Sequence, residues 1–447
     1  MERSVSNPPL PPPLAEFLAA RPWLTTRAEL PGDPVGMLGD QESALFQLLA
    51  RDVFAGRGAI VDAGSFLGRS ASCFATGLRR NPAFRAERDR VHCFDKFRVN
   101  GPDTVRFLRD RLKLGACVGD STRPIFDAQV APVSELLVVH AGDFHATVWD
   151  GGPIEILMVD IAKLPTLLGR LVEQMFPQLI PGHSLVVHQD YHHPWLPHIH
   201  VVMEYLAESF ELLVPQVDDS ALFRCIAPVP PDRLLRASAY DFTKTERIDL
   251  MAAAIARLPQ EQRHSVAEAQ VLQLAWLGET TAARKAFAEL DALAQSPGAS
   301  RHWLSQHRAV ADHLEDRELA ALMAAHEWPA ALARVDASLE RRGPGAKLLA
   351  HRGRALLELG RTAEALVAVR AAATSPDFAG TQSGDPEFWV LEARAQAAHG
   401  DRSAARASLG RAQSCGLGST RREELARRLR LDDAPPSAPQ SAAASGD

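Results

Sequence analysis

Acidic side chains recur in this chain directly after short apolar runs, and their spacing with glycine limits the chemistry open to it. Asp62 closes the run Ala59-Ile60-Val61 and opens Asp62-Ala63-Gly64-Ser65-Phe66-Leu67-Gly68-Arg69-Ser70. Glycines placed between a strand and a helix let backbone amides approach an anionic group, which the helix N-terminus also favours. Asp62, Gly64, Ser65, Gly68, Arg69 and Ser70 are therefore candidate ligand-binding residues, although a D-x-G-x-x-x-G loop alone fits plain tight turns as well. Asp95 ends the next apolar run, where a carboxylate can accept hydrogen bonds from both hydroxyls of a ribose. Gly142-Asp143-Phe144 follow the third run, with an acid and an apolar ring suited to a purine base. Asp160 ends the fourth run and Asp190 follows the fifth. In a parallel sheet such positions share one rim, where ligands of open α/β folds bind.

The last two acids have company that could move a proton or hold a cation. Asp160, Gln189 and Asp190 offer oxygen atoms of the kind that bind Mg²⁺. His188 and His192 bracket Asp190, and a neutral imidazole or carboxylate within reach of a hydroxyl can take its proton. Lys163 follows Asp160 by one helical turn and could bridge to Asp190 or orient an acidic acceptor. A bland alternative stands beside each: capped loops for the acids, satisfied hydrogen bonds for the histidines, a solvated side chain for the lysine. Cys73, Cys93, Cys117, Cys225 and Cys415 form no C-x-x-C pair and complete no zinc pattern.

Positioning these residues requires alternating strands and helices. Strand-like runs occur at Ala59–Val61, Arg90–Phe94, Glu135–His140, Ile154–Val159 and His183–His188, with a helical pattern from Met37 to Val53 and another over Ile199–Glu208. Short apolar strands between helices predict a parallel sheet covered on both faces. Phe210–Val214 and Ala221–Ile226 flank Asp218-Asp219-Ser220 and predict a closing antiparallel hairpin.

With these runs in view, residues 37–230 resemble S-adenosylmethionine (SAM)-dependent methyltransferases of Rossmann-like fold, particularly the macrocin O-methyltransferase and cephalosporin-hydroxylase-like groups. The most specific stretches are the Ala59–Ser70 loop, Ile156-Leu157-Met158-Val159-Asp160, and Leu179 to Tyr191. The resemblance implies that the first loop receives the methionine end of SAM and Asp95 its ribose, which leaves Asp143 and Phe144 to address its adenine. It implies that the segments ending at Asp160 and Tyr191 form the acceptor site, for a hydroxyl of a small polar molecule such as a sugar or glycan unit; Asp160, Lys163, His188, Asp190 and His192 are the residues there with groups to position or deprotonate it. Metal-dependent relatives carry paired acids at both acceptor motifs; here Ala162 and Gln189 replace two of them. Metal-bound and metal-free sites both remain open, as does a scaffold that binds SAM without turnover. Oxygen chemistry of the hydroxylase-like kind lacks a two-histidine, one-carboxylate spacing.

The remaining segments read by composition. Residues 1–36 are a proline-rich arm expected to lie over the next domain, 231–244 a linker, and 433–447 a disordered Pro, Ser and Ala-rich tail. Residues 245–432 are rich in Ala, Leu, Arg and Glu with helical periodicity. Ala331-Leu332 and Ala365-Leu366 align at an offset of 34, and Leu277-Gly278, Leu359-Gly360 and His399-Gly400 mark turns. This region resembles tetratricopeptide repeats, which implies an all-α domain for a protein partner. A net charge of −6 over 447 residues gives no bulk attraction to nucleic acid or anionic lipid. No apolar stretch suits a membrane span, and the unpaired cysteines lead us to expect a cytoplasmic protein.

Overall fold

The apolar runs of the N-terminal half pair into one sheet because each is too short and too uniformly apolar to be stable unless covered on both faces. The computed structural model describes residues 7–294 and 301–431, so the expected tail at 433–447 lies outside the described residues. The chain divides into two compact units, Met1–Ala311 and Asp312–Asp447. The first runs α1 (Pro12–Ala20), α2 (Asp40–Leu48), β1 (Ala59–Ala63), α3 (Arg69–Arg79), β2 (Val91–Asp95), α4 (Pro102–Leu112), α5 (Arg123–Val130) and β3 (Leu137–Ala141). It continues through β4 (Ile154–Val159), α6 (Pro165–Met175), β5 (Leu185–His188), α7 (Pro197–Tyr205), β6 (Phe210–Val217) and β7 (Ser220–Cys225). Then come α8 (Pro231–Ala239), α9 (Lys244–Arg257), α10 (His264–Trp276), α11 (Thr280–Ala294) and α12 (Arg301–Ala324), which runs across the division.

The seven strands lie in the order β3-β2-β1-β4-β5-β7-β6. β1 to β5 pair in parallel, and β7 runs antiparallel to both β5 and β6, which is the expected terminal hairpin. Ala63 stands opposite Phe94 and Val159, Phe94 opposite His140, and Val159 opposite His188. The carboxyl ends of the five parallel strands therefore finish level.

Alternate residues of each strand enter different layers. Val61, Leu157, Val159 and Val186 pack with Leu168 and Leu171 of α6 and Ile199 of α7, whereas Ile60, Ile156, Met158 and Val187 pack with Leu45 of α2, Phe74 of α3 and Phe126 of α5. Helix α2 does not continue unbroken to Val53: its last turn, Leu49–Val53, widens to π geometry.

Two boundaries differ from the composition-based reading. The proline-rich arm contains a helix, α1, because Pro12 and Pro13 occupy its first turn, where a missing N–H leaves no bond unmade. The arm does lie over the sheet unit: Leu14, Phe17 and Trp23 are buried in the layer of α2 and α3, and the guanidinium of Arg224 donates to the carbonyls of Pro8 and Pro9 at 2.7 and 3.0 Å. Nor is 231–244 a linker. Helix α8 packs on α6, and Ala237, Phe242, Met251, Val266 and Ala269 join the same core as Leu168 and Ile199. Helices α8 to α10 thus complete a face of the sheet unit that Leu168, Val172 and Ile199 would otherwise expose to water.

The described residues of the second unit hold the end of α12 and then paired helices: α13 (Trp328–Arg342), α14 (Ala346–Glu358), α15 (Thr362–Ala373), the single turn α16 (Phe378–Thr381), α17 (Pro386–Ala398), α18 (Arg402–Ser414) and α19 (Ser419–Arg428). The 34-residue offset superposes buried positions: Ala331, Leu332 and Val335 of α13 correspond to Ala365, Leu366 and Val369 of α15, all in the core. Gly360 and Gly400 end α14 and α17 with φ of 76° and 94°, a left-handed turn that glycine adopts without a Cβ clash.

A Cβ added at Gly169 of α6 would lie 2.0 Å from the carbonyl oxygen of Ser238 at the end of α8. Gly169→Val is expected to destabilise the sheet unit by about 1–3 kcal/mol through overpacking. Urea denaturation read by tryptophan fluorescence checks this; an unchanged midpoint would separate α8 from that core.

Candidate functional site

The level strand ends leave a crevice where the connections from β1 and β4 diverge to opposite faces of the sheet. A cavity of about 510 Å³ opens there, within the range of small-molecule sites. Its lining comes from the loop after β1 (Gly64, Ser65, Phe66), the end of β2 (Phe94, Asp95), the turn after β3 (Gly142, Asp143, Phe144), and the ends of β4 and β5 (Asp160, Gln189).

The loop after β1 is held by backbone conformations that its glycines permit. Gly64, Phe66 and Gly68 have φ of 116°, 44° and 94°. A Cβ on Gly64 would lie 2.8 Å from the Cβ of Asp160, so only glycine lets these strand ends approach. Gly64 and Ser65 donate their N–H to the carbonyl of Phe94, and Phe66 donates to Asp95 Oδ2 at 2.8 Å. Asp95 Oδ1 accepts from Phe97 N–H at 2.5 Å. Burial pushes the Asp95 carboxyl above its usual range, with those two backbone donors pulling it back. Gly142 has φ of 148° and nothing within 4 Å of where a Cβ would stand, which leaves its backbone open to a ligand.

Among the expected residues, Asp62, Gly68, His188, Asp190 and His192 do not line the cavity. Asp62 is fully buried on the α3 side: its Oδ2 accepts from Ser70 Oγ at 2.9 Å, and burial pushes its carboxyl up to about 6. Strand alternation turns Asp62 into the helix layer, so it braces the loop from below. Gly68 caps α3 and faces α5, where a Cβ would meet Val130 Cγ1 at 2.4 Å. Arg69 lines the cavity but is tied to the arm, donating to Pro34 O at 2.8 Å and Ser43 Oγ at 3.1 Å. Ser65 and Ser70 line it, with their hydroxyls given to Asp62.

The histidines are corrected most sharply. His192 is buried between Ser265 Oγ (2.7 Å from Nδ1) and Pro215 O (2.8 Å from Nε2), so its ring fastens α10 to the sheet. His188, inside the last turn of β5, is fully buried with no protein partner for either ring nitrogen among the described residues. Burial pushes His188 down to about 3 and His192 to about 4, so both stay neutral and away from the lining.

Lys163 does what its spacing allowed. Its Nζ lies 2.5 Å from Asp160 Oδ1 and bonds Asp190 Oδ2 as well. With its amide nitrogen facing Asp160, Gln189 donates to both carboxylate oxygens at 2.5 and 2.9 Å. Burial pushes Asp160 up against the pull of Lys163, with Asp190 adding like-charge repulsion. Burial opposes the charge on Lys163, but the two carboxylates outweigh it and hold its pKa above the ordinary value. Of the expected Mg²⁺ ligands, Asp160 and Asp190 therefore accept from an ammonium, and Gln189 turns its N–H donors to Asp160. They do not fit a divalent cation, and among the described residues no three His, Cys, Asp or Glu are placed to hold one.

The lining also includes residues that no motif marked: Gly36, Met37 and Leu38 ahead of α2, Lys96, Arg98 and Asn100 after β2, and His140, whose ring stacks on Phe94 at 4.2 Å. Alternation was the available signal, since Lys96, Arg98 and Asn100 are exposed while Phe97 and Val99 between them are buried. No helix among the described residues is long and apolar enough to cross a membrane.

No protein-family model matches the chain, and no curated protein matches it. Among solved structures it is similar to the TPR2AB domain in the pHSP90 complex of yeast Sti1, at 15% identity over 44% of this chain and 81% of that one. The TM-score of 0.20 is too low for that likeness to bear on fold or function. The chain forms a mainly parallel, Rossmann-like α/β unit with a cavity at its strand ends, followed by a unit of paired helices.

The buried histidines set an acid limit. An unfolded histidine takes a proton near pH 6.5, whereas folded His188 does so only near 3, so between those values acid favours the unfolded chain. Each such ring costs up to about 1.4 kcal/mol per pH unit. His188→Leu is expected to flatten the fall in urea midpoint between pH 6.5 and 4 while leaving ligand binding unchanged. An unaltered slope would refute the assignment of His188 to the core.

Proposed function

We propose that residues 37–230 form a SAM-dependent O-methyltransferase domain acting on a hydroxyl of a small polar acceptor, with a sugar or glycan unit as the class the sequence resemblance implies. The observation that carries this reading is the convergence of the Gly64 loop, Asp95 and Asp160 on one cavity at the carboxyl ends of adjacent parallel strands. The level strand ends and the closing antiparallel hairpin support it further.

In this reading Gly64, Ser65 and Ser70 seat the methionine portion, with Asp62 and Gly68 bracing the loop. Asp95 faces the ribose, and Asp143 and Phe144 face the adenine. SAM supplies an electrophilic methyl on a sulfonium, which an acceptor oxygen attacks to form a C–O bond while the methyl–sulfur pair stays on sulfur. Asp160 takes the proton the oxygen loses, since burial raises its affinity for one. Lys163 and Gln189 fix the orientation of that carboxylate, and alignment of oxygen and methyl accounts for much of the rate.

A competing reading, a SAM-binding scaffold without turnover, is favoured by Ala162 and Gln189 standing where metal-dependent relatives carry acids. For the helical residues 312–431 we propose a protein-binding role, supported by the helix pairs whose buried faces repeat along the chain.

Calorimetric titration of the full chain with SAM, followed by incubation with labelled SAM and size-fractionated extract, tests these readings together. SAM binding is expected, weakened at least about tenfold by Asp95→Ala through loss of the ribose hydrogen bonds. Asp160→Asn should keep SAM binding and lose transfer by roughly 10²-fold or more. Absence of SAM binding, or indifference to Asp95→Ala, overturns the proposal; binding with no transfer to any fraction selects the scaffold.

A further inference from the structure

Asp160 and Asp190 project from the ends of neighbouring strands, since Val159 of β4 pairs with His188 of β5. Adjacent strands are about 4.8 Å apart, the separation at which two carboxylates can share one cation. Asp190 adopts φ of 60°, a left-handed conformation unusual for a residue with a side chain, and a turn closed by His193 N–H to Asp190 O at 2.9 Å holds it there. From the other side, Lys163 N–H bonds Ile161 O at 2.7 Å, a tight turn that folds the lysine back over the end of β4. Both local conformations serve to bring Nζ between the two carboxylates.

We propose that Lys163 Nζ is the resident cation of this rim, standing where the metal-dependent relatives implied by the resemblance hold Mg²⁺, and that the cavity binds its ligand's oxygen through this ammonium without a metal. An ammonium has three N–H donors. Two are given to Asp160 and Asp190, and the third is left for an oxygen that carries or develops negative charge in the cavity, which Lys163 lines. A divalent ion at this place would have to expel a like-charged group and turn the Gln189 amide so that its oxygen faced inward. The counter-charge of this rim is thus part of the chain itself.

This inference rests on the acceptor site proposed above, yet its test does not depend on SAM. Mn²⁺ added to the full chain is followed by electron paramagnetic resonance, in which bound ion loses the sharp spectrum of free ion. Wild-type protein is expected to leave the spectrum unchanged. Lys163→Ala should bind about one equivalent, because removal of the ammonium exposes an oxygen-rich site, and adding Asp160→Asn to that variant should abolish the binding. Lys163→Met, which keeps the packing of the lysine stem, gives the same reading should the alanine variant fail to fold. Wild-type binding that Asp160→Asn removes would overturn the proposal, as would folded Lys163 variants that bind no Mn²⁺. SAM titration fails separately if the methyltransferase reading itself is mistaken.

Discussion

The parallel register of β1 with β2 on one side and β4 on the other is the constraint from which the site follows. Ala63, Phe94 and Val159 stand level across these three strands, so the chain leaves all of them at one height and must cross to opposite faces of the sheet. Backbone hydrogen bonding fixes that height, and the diverging connections open the crevice. Gly64 is the local cost of this geometry: the β1 and β4 ends approach so closely that a Cβ there would strike Asp160. A slip of β1 by one residue would send Ile60 and Val61 to exchanged layers and carry the Gly64 loop off the level of Asp95 and Asp160.

Electrostatics at the rim obey a similar economy of alternatives. Two carboxylates in a half-buried crevice need a counter-charge, because an unpaired buried carboxylate protonates or destabilises the fold. Lys163 supplies it from within the chain and Gln189 adds hydrogen bonds, so Asp160 remains fixed in orientation while burial keeps its affinity for a proton high. The histidine-rich segment behind the rim has the opposite character. His188, His192, His198 and His200 are pressed into the core and held neutral, three of them bonded to a hydroxyl or backbone carbonyls. Clustering of titratable residues in sequence here reflects dense packing of α7 and α10 against β5, with the reactive-looking rings facing inward.

Helices after the sheet play two parts that composition does not separate. α8, α9 and α10 share the alanine-, leucine- and arginine-rich character of the chain beyond them, yet they bury Ala237, Met251 and Val266 against the sheet unit. α13 to α18 instead bury their faces on one another, as Leu332, Leu356 and Ala368 do. The difference lies in which apolar surface each meets, and a periodic stripe on a helix has the same appearance whichever partner covers it.

How much was legible follows from the range of the forces involved. Strand and turn identity depends on residues a few positions apart, so β1 to β5, the closing hairpin and the left-handed glycines at 360 and 400 could be read from local pattern alone. The same locality placed Gly64, Asp95, Asp143 and Asp160 at strand ends, and all four line the cavity. The direction of a side chain at a strand end was beyond that reach: Asp62 turns into the helix layer and His188 into the core, because neighbours distant in sequence decide which face is covered. Lys96, Arg98 and residues 36–38 ahead of α2 join the lining only through tertiary placement. The meeting of Lys163 with Asp190 likewise needed β4 and β5 to pair. Sequence by itself determined the alternation of elements and the chemistry on offer, since both are fixed by local backbone preference and residue type. Tertiary structure alone decided which of those groups share a cavity, because burial, register and charge pairing are set between segments far apart along the chain.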